Sequence, residues 1–397
     1  MPDRFQILVL NQISPAGLKR LPAERYNVGK DVARPDAVLV RSADMHAMPI
    51  AESVKAIGRA GAGTNNIPVA AMSARGVPVF NAPGANANAV KELVLAGMLM
   101  AARNLVPALG FVAGLAGEDD AALEKRVEEG KKQFAGVELP HHTLGVVGLG
   151  RIGSLVADAG IKLGMNVLGY DPEITVDAAW SLPAQVRKAA SIDEVLKAAH
   201  FVSLHVPLTA ATRHLIDAAR LAHMRHGAVL LNFSREGIVD DAAVLAALAG
   251  HRLKAYVTDF PTAKLVGHAG VVALPHLGAS TREAEDNCAV MVADQVRDYL
   301  EHGNVVNAVN FPNVVMPRES RFRVAIANRN VPNMVGQISA AMGKAGLNIH
   351  NMMNKSKGEM AYTLVDVDSP VAAPVLAAIR AIDGVLGVRY LPAPDGA

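Results

Sequence analysis

The stretch from Thr143 to Asp171 constrains the fold more than any other part of the chain. It opens on a short apolar run, Leu144 to Val147, then places Gly148, Gly150 and Gly153 in the spacing G-x-G-x-x-G. A helical pattern follows, then a second apolar run from Met165 to Tyr170 that closes on Asp171. Strand, glycine turn, helix, strand and acid in that order make a dinucleotide-binding unit. Gly148 lets the chain turn tightly. Gly150 leaves the backbone bare where a pyrophosphate must approach, and Gly153 lets the helix lie close on the strand. The helix N-terminus offers unpaired N–H groups and a partial positive charge to the phosphates. Asp171 ends the second strand, where its carboxylate accepts hydrogen bonds from ribose hydroxyls and repels a 2′-phosphate, which favours NAD over NADP.

The rest of the composition narrows the surroundings of that unit. A length of 397 residues predicts two or three domains. Net charge is only +2, and no Lys/Arg run is long enough to mark a nucleic-acid footprint. The single cysteine, Cys288, excludes a disulfide within the chain, fits a reducing cytoplasm and reads as a small buried hydrophobe. The N-terminus, MPDRFQILVL, lacks a signal-peptide pattern, and no apolar run reaches membrane-spanning length, so a soluble protein is expected, with neither membrane nor nucleic acid as partner. NAD is the one cofactor expected, with no metal.

Before the glycine turn, apolar runs at Phe5–Leu10, Ala37–Val40, Val54–Ile57 and Val77–Phe80 alternate with helical patterns, which predicts a parallel sheet. This first unit has no phosphate fingerprint and is the candidate substrate domain. Residues 87–103 read as one long helix and 117–136 as a charged surface helix. After Asp171, Ser191 with Glu194 forms a capping box. Strands are expected at 201–206, 228–233, 254–260 and 271–274. Asp171, Pro207, Arg235, Asp259 and His276 then all fall at carboxyl ends of strands, the rim where open parallel sheets bind ligands. A long helix, 281–301, precedes a linker at 303–317. The tail reads βαββαβ. The expected fold is therefore α/β: two Rossmann-like, doubly wound parallel-sheet domains and a small C-terminal ferredoxin-like domain.

With these motifs in view, the chain resembles the D-2-hydroxyacid dehydrogenase family, and within it the phosphoglycerate dehydrogenases that carry a C-terminal ACT domain. The resemblance rests on GRAGAGTNN (58–66), VFNAPGANANAVKEL (79–93), GVVGLGRIG (145–153), LHVPLT (204–209), NFSREGIVD (232–240), TDFP (258–261) and LPHLGAST (274–281). It implies two lobes with a cleft between them. It also implies NAD-dependent oxidation of 3-phospho-D-glycerate to 3-phosphohydroxypyruvate, the first step of serine biosynthesis. Boundaries on this reading are 1–98 with 285–312 for the substrate domain, 99–284 for the NAD domain and 319–397 for the ACT domain. A homodimer or homotetramer is implied.

The resemblance also assigns residues. His276 takes and returns the hydroxyl proton, as a group titrating near neutrality is suited to do. Arg235 grips the substrate carboxylate and polarises the forming carbonyl. Arg41 and Arg59 meet the substrate phosphate, and the backbone of Ala60, Gly61, Ala62 and Gly63 meets its carboxylate. Gly148, Gly150, Arg151, Ile152, Gly153 and Asp171, with His205, Pro207, Asp259 and Gly278, hold the cofactor. Asn328, Asn330 and Asn348 hold an L-serine effector. The family's glutamate partner for the histidine has no counterpart: the matching stretch is Pro261-Thr262-Ala263-Lys264, and Glu283 or Glu285 on the next helix is the nearest substitute. Two other functions fit the same residues: another 2-hydroxyacid dehydrogenase such as a hydroxypyruvate or glyoxylate reductase, or a weakly catalytic NAD- or serine-sensing protein.

Overall fold

The computed structural model describes residues 4–393; the first three residues and the last four, which the expected domains include, lie outside them. The chain forms two compact units, one of Met1–Asn86 with Arg282–Ala397, the other of Ala87–Thr281. These changes at Ala87 and Arg282 differ from the boundaries at 98 and 284 drawn from sequence. The helix Ala87–Ala102 accounts for the larger difference: Val94, Met98 and Ala102 are buried in the second unit's core.

The first unit begins with strands β1 (Phe5–Leu10), β2 (Tyr26–Gly29), β3 (Ala37–Val40), β4 (Ala56–Arg59) and β5 (Val79–Phe80). They form an all-parallel sheet in the order β2-β1-β3-β4-β5. Edge strand β2 was not foreseen, because YNVG carries no apolar run and its alternation spans only four residues. β4 starts two residues later than expected: Val54 N–H closes a turn onto Ala51, and the Lys55 side chain pairs with Asp36 at 2.7 Å. The long helix Arg282–His302 buries Cys288, Val292 and Val296 against this sheet.

The second unit holds β6 (Thr143–Val147), β7 (Asn166–Tyr170), β8 (Arg187–Lys188), β9 (Phe201–Leu204), β10 (Ala228–Asn232), β11 (Leu253–Thr258) and β12 (Val271–Ala273). Its parallel order, β12-β11-β10-β9-β6-β7-β8, reverses direction between β6 and β9. That reversal leaves a crevice at the carboxyl ends of the two strands, because their following segments leave on opposite faces.

The first unit also carries the tail: β13 (Phe322–Arg329), β14 (Ile349–Lys357), β15 (Met360–Val367) and β16 (Val385–Pro392), antiparallel in the order β14-β15-β13-β16. Helices Met334–Lys344 and Ala373–Arg380 complete the βαββαβ order. Alternation along β13 serves two cores. Val324 and Ile326 join Ile338, Met342 and Ile379 in one cluster, while Ala325 and Ala327 join Tyr299, Phe311 and Tyr362 in the other. Residues 303–317, expected as a linker, are pinned rather than loose. The Asn310 side chain accepts from Val79 N–H at 2.9 Å and donates to the Val77 carbonyl at 2.9 Å.

One polar contact in this region was invisible in the sequence. Arg323 and Asp366 face each other across β13 and β15, both wholly buried, with Nε–Oδ1 at 2.6 Å and Nη2–Oδ2 at 2.8 Å. The guanidinium also donates to the carbonyls of His302, Met316 and Pro317 at 2.9–3.1 Å. Such a pair is tolerable in a dry interior only when its hydrogen bonds are met, as they are here. Asp366→Ala leaves a buried guanidinium without its counter-charge and should cost about 3–5 kcal/mol of stability in urea titration, whereas the double variant Arg323→Met with Asp366→Leu recovers most of that loss.

Candidate active site

The second unit's rim is built on backbone that cannot carry side chains. Gly148 follows β6 with φ of 90°, and a Cβ there would lie 2.5 Å from the His205 carbonyl oxygen at the end of β9. A Cβ on Gly153 would lie 1.9 Å from the Gly148 carbonyl oxygen, so the helix Arg151–Lys162 rests directly on the turn. At Gly150, by contrast, nothing lies within 4 Å of a notional Cβ. No side chain caps this helix, so its first N–H groups, from Arg151 onward, stay available to an anion.

Asp171 serves the turn as well as facing the rim. Its Oδ2 accepts from Leu149 N–H at 2.8 Å and its Oδ1 from Glu173 N–H at 2.9 Å. Each oxygen keeps a second lone pair for a ligand hydroxyl. His205 is held inside: its Nε2 and the Ser203 hydroxyl lie 2.8 Å apart, and its Nδ1 is buried without a partner. Burial lowers its pKa to about 3, so the ring is neutral. Pro207 begins the exposed loop beyond, its carbonyl accepting from the Thr212 hydroxyl at 2.5 Å.

Asp259, at the end of β11, is 1% exposed. Its Oδ2 accepts from Gly278 N–H at 3.0 Å, and its Oδ1 is buried with no partner. Burial pushes this carboxyl up, opposed by the Gly278 N–H and by His276 nearby. A buried acceptor without a donor is rare in folded proteins and marks a place for a ligand's donor. It therefore fits a carboxamide N–H, such as the one a nicotinamide carries. His276 is exposed and leans on the Phe260 ring, with centroids 4.8 Å apart and planes tilted by 50°. In the stretch where the family glutamate would stand, Thr262 donates to Asp241 Oδ2 at 2.7 Å.

Arg235 is exposed, and its guanidinium donates to the Ser234 carbonyl at 2.6 Å. A residue the sequence reading passed over sets this turn. Asn232, 1% exposed, donates to the Arg235 carbonyl at 3.0 Å and accepts from both the N–H and the hydroxyl of Ser234. The signal was available: an amide ending the aliphatic strand AVLLN must be buried, and so must be hydrogen-bonded.

The first unit places the remaining candidates at the ends of β3 and β4. Arg41 pairs with Glu285 at 2.6 Å, which occupies the acid suggested as a partner for His276. Arg59 Nε donates to the Arg41 carbonyl at 3.0 Å, and its guanidinium covers Gly61, where a Cβ would lie 1.8 Å from Nη1. The loop from Ala60 to Gly63 is fixed by Ala60 N–H on the Val40 carbonyl at 2.7 Å, Ala82 N–H on the Gly61 carbonyl at 2.9 Å and the Asn81 amide on the Ala62 carbonyl at 2.5 Å.

Of the three asparagines expected to hold an effector, two come together. Asn328 and Asn330 line a cavity of about 150 Å³ with Asn333, Gly336 and Asn354. Asn348 is not among its lining residues; its N–H binds Asp368 at 3.2 Å. Among the described residues, no group of three or more His, Cys, Asp or Glu is disposed to hold a metal, and no single helix is long and apolar enough to cross a membrane.

Residues 98–278 match the family described as D-isomer specific 2-hydroxyacid dehydrogenase, NAD binding domain. The chain is 38% identical over 288 residues to a D-3-phosphoglycerate dehydrogenase of Methanocaldococcus jannaschii, covering 70% of this chain and 52% of that one. It thus spans about half the length of that relative. To the D-3-phosphoglycerate dehydrogenase of Haemophilus influenzae it is 32% identical over 341 residues, covering 83% of this chain and 79% of the other. Among solved structures it is similar to the NAD+-bound 3-phosphoglycerate dehydrogenase of Entamoeba histolytica, with a TM-score of 0.59 and 26% identity over 77% of this chain and 99% of that one.

The half-buried His205 ring, with its Nδ1 buried and unpartnered, has a pH signature. Its folded pKa lies below the unfolded value, so the stability it contributes is present above pH 6.5 and is lost as pH falls towards 3. Urea titrations across that window should show a loss on the order of a few kcal/mol, and His205→Gln should flatten it.

Proposed function

Because the chain belongs to the D-isomer-specific 2-hydroxyacid dehydrogenase family, we propose that it oxidises 3-phospho-D-glycerate to 3-phosphohydroxypyruvate with NAD, the entry step of serine biosynthesis. The observation that carries this reading is the set of groups gathered at the carboxyl ends of one parallel sheet: the bare turn at Gly148–Gly153, Asp171, Arg235, Asp259 with its unpaired oxygen, and His276.

In this reading the N–H groups at Gly150, Arg151 and Ile152 hold the pyrophosphate, Asp171 the adenosine ribose, His205 and Pro207 the middle of the cofactor, and Asp259, fixed by Gly278, the carboxamide. Bound NAD supplies the acceptor for the hydride that leaves C2 of the substrate. His276 takes the C2 hydroxyl proton, and Phe260 fixes the plane of its ring. Arg235 holds the substrate carboxylate with its planar guanidinium and stabilises charge on the forming carbonyl. Asn232 keeps Arg235 in place through the Arg235 carbonyl. Arg41 and Arg59 meet the phosphate, and the N–H groups of residues 60–63 meet the carboxylate.

The βαββαβ module is assigned to the ACT class, with L-serine as its effector at the cavity lined by Asn328 and Asn330. A homo-oligomer is supported by the helix Leu105–Ala113, on which no residue is buried and Leu109 is 71% exposed. A cytoplasmic location follows from the metabolic role. One observation favours a second reading, the reduction of an unphosphorylated 2-keto acid: the Arg41 charge is already met by Glu285.

NADH oxidation with phosphohydroxypyruvate, hydroxypyruvate and glyoxylate, with and without L-serine, separates the two. The phosphorylated substrate should be preferred and Arg41→Ala should raise its KM alone; equal rates on the phosphorylated and plain acids would establish the second reading. His276→Ala should lower kcat by about 10²–10⁴-fold. A parent protein that binds NADH and turns over none of these substrates would leave only a sensing role. Asp259→Asn offers one acceptor where Gly278 N–H and the carboxamide both donate. Calorimetry should show NADH bound about tenfold or more weakly, as loss of a charge-assisted hydrogen bond implies.

A further inference from the structure

A large cavity of the first unit is lined by none of the candidate site residues. It measures about 1250 Å³ and is bounded by β1, the residue before β4 and the long helix Arg282–His302 on one side and by β13, β16 and the helix Ala373–Arg380 on the other. Six cations line it: Arg25, Lys55, Arg318, Arg321, Arg380 and Arg389. Two carboxylates, Glu24 and Glu301, share the wall. Glu301 is already engaged by Arg25 at 2.9 Å and by the Tyr26 hydroxyl, and Lys55 is paired with Asp36.

Three of the arginines are held quite differently. Arg318 donates to the Leu391 carbonyl, Arg380 to the Val388 carbonyl at 3.1 Å, and Arg389 to the carbonyls of Tyr299 and Leu300 at 3.0 and 2.8 Å. Carbonyls satisfy N–H donors but leave the net positive charge in place. Among the described residues no carboxylate pairs with any of these three. Arg318 also keeps a buried Nε with no partner, and burial together with nearby Arg323 lowers its pKa. Like charges brought together around one hollow repel each other, and a bound anion relieves that repulsion. Phe322, Tyr390, Leu376 and Pro392 give the same cavity an apolar wall.

We propose that this cavity is a binding site for a polyphosphate anion, held by Arg318, Arg380 and Arg389. Arginine forks suit phosphate oxygens. The volume is ample for a small molecule, since ligand sites commonly run to several hundred Å³. The apolar wall suits an organic body attached to the phosphates, as in a nucleoside triphosphate. Because the site touches both the first sheet and the C-terminal module, its occupant stabilises their packing.

The test is calorimetry on the full chain with NADH at saturation, so that the dinucleotide site is filled. Inorganic triphosphate and ATP are the probes. The expected result is saturable binding that Arg380→Glu and Arg318→Gln each weaken at least tenfold, while Lys125→Glu and Arg41→Glu change it less than twofold. Tighter binding of ATP identifies an organic polyphosphate as the ligand; equal binding identifies the polyphosphate group alone. Arg380 is exposed, and NADH binding by each variant reports that it has folded. Absence of binding by both probes, binding indifferent to Arg380→Glu and Arg318→Gln, or binding lost with Arg41→Glu would overturn the proposal.

Discussion

At Gly148 and at Gly153 there is no room for a side chain, and the second unit is arranged around that fact. The notional Cβ of Gly153 sits 1.9 Å from the Gly148 carbonyl oxygen, and that of Gly148 sits 2.5 Å from the carbonyl oxygen of His205. Helix, turn and neighbouring strand therefore meet through bare backbone. The close approach aims the helix N-terminus, positive by its dipole, over the crevice where strand order reverses. Asp171 accepts from Leu149 N–H within the same turn, so the acid that follows the second strand is also part of the scaffold of the turn. The half-buried His205 ring, beside this turn, is neutral.

A second constraint governs the first unit. β13 is shared between two apolar cores, so its residues must alternate between them. Arg323 breaks the apolar series on one side and is compensated by Asp366 and three carbonyls. Those carbonyls come from the end of the long helix and from the chain after it, which ties the C-terminal module to the residues that precede it. Tyr362 adds a hydrogen bond to the Gly303 carbonyl at 2.8 Å. A segment rich in asparagine and proline thus became a clamped strap, because its polar groups found partners inside the unit.

Local patterns carried most of the architecture. Apolar runs bounded by turn residues identified the main strands of both parallel sheets, since a strand buried on both faces needs continuous hydrophobicity. Short or polar strands escaped. Tyr26–Gly29 and Arg187–Lys188 exist only because a neighbouring strand supplies hydrogen bonds to an edge. The rim residues were legible for a related reason: Asp171, Arg235, Asp259 and His276 each follow a strand that the periodicity had already located.

Their partnerships were not legible. Nothing in the spacing of Arg41 and Glu285 says that they meet, and they are far apart along the chain. The same holds for the Asn232 amide on the Arg235 carbonyl, the empty Oδ1 of Asp259, and the cations that collect from both ends of the chain around one cavity. By itself the sequence determined which segments are strands and helices, that a dinucleotide fits behind Gly148, and which side chains stand at strand ends, because these follow from periodicity and from glycine's missing Cβ. Only the tertiary structure decided which charges are paired, which acceptor is left open and where uncompensated arginines gather. Those are properties of distance and burial between residues remote in the chain, and no local pattern encodes them.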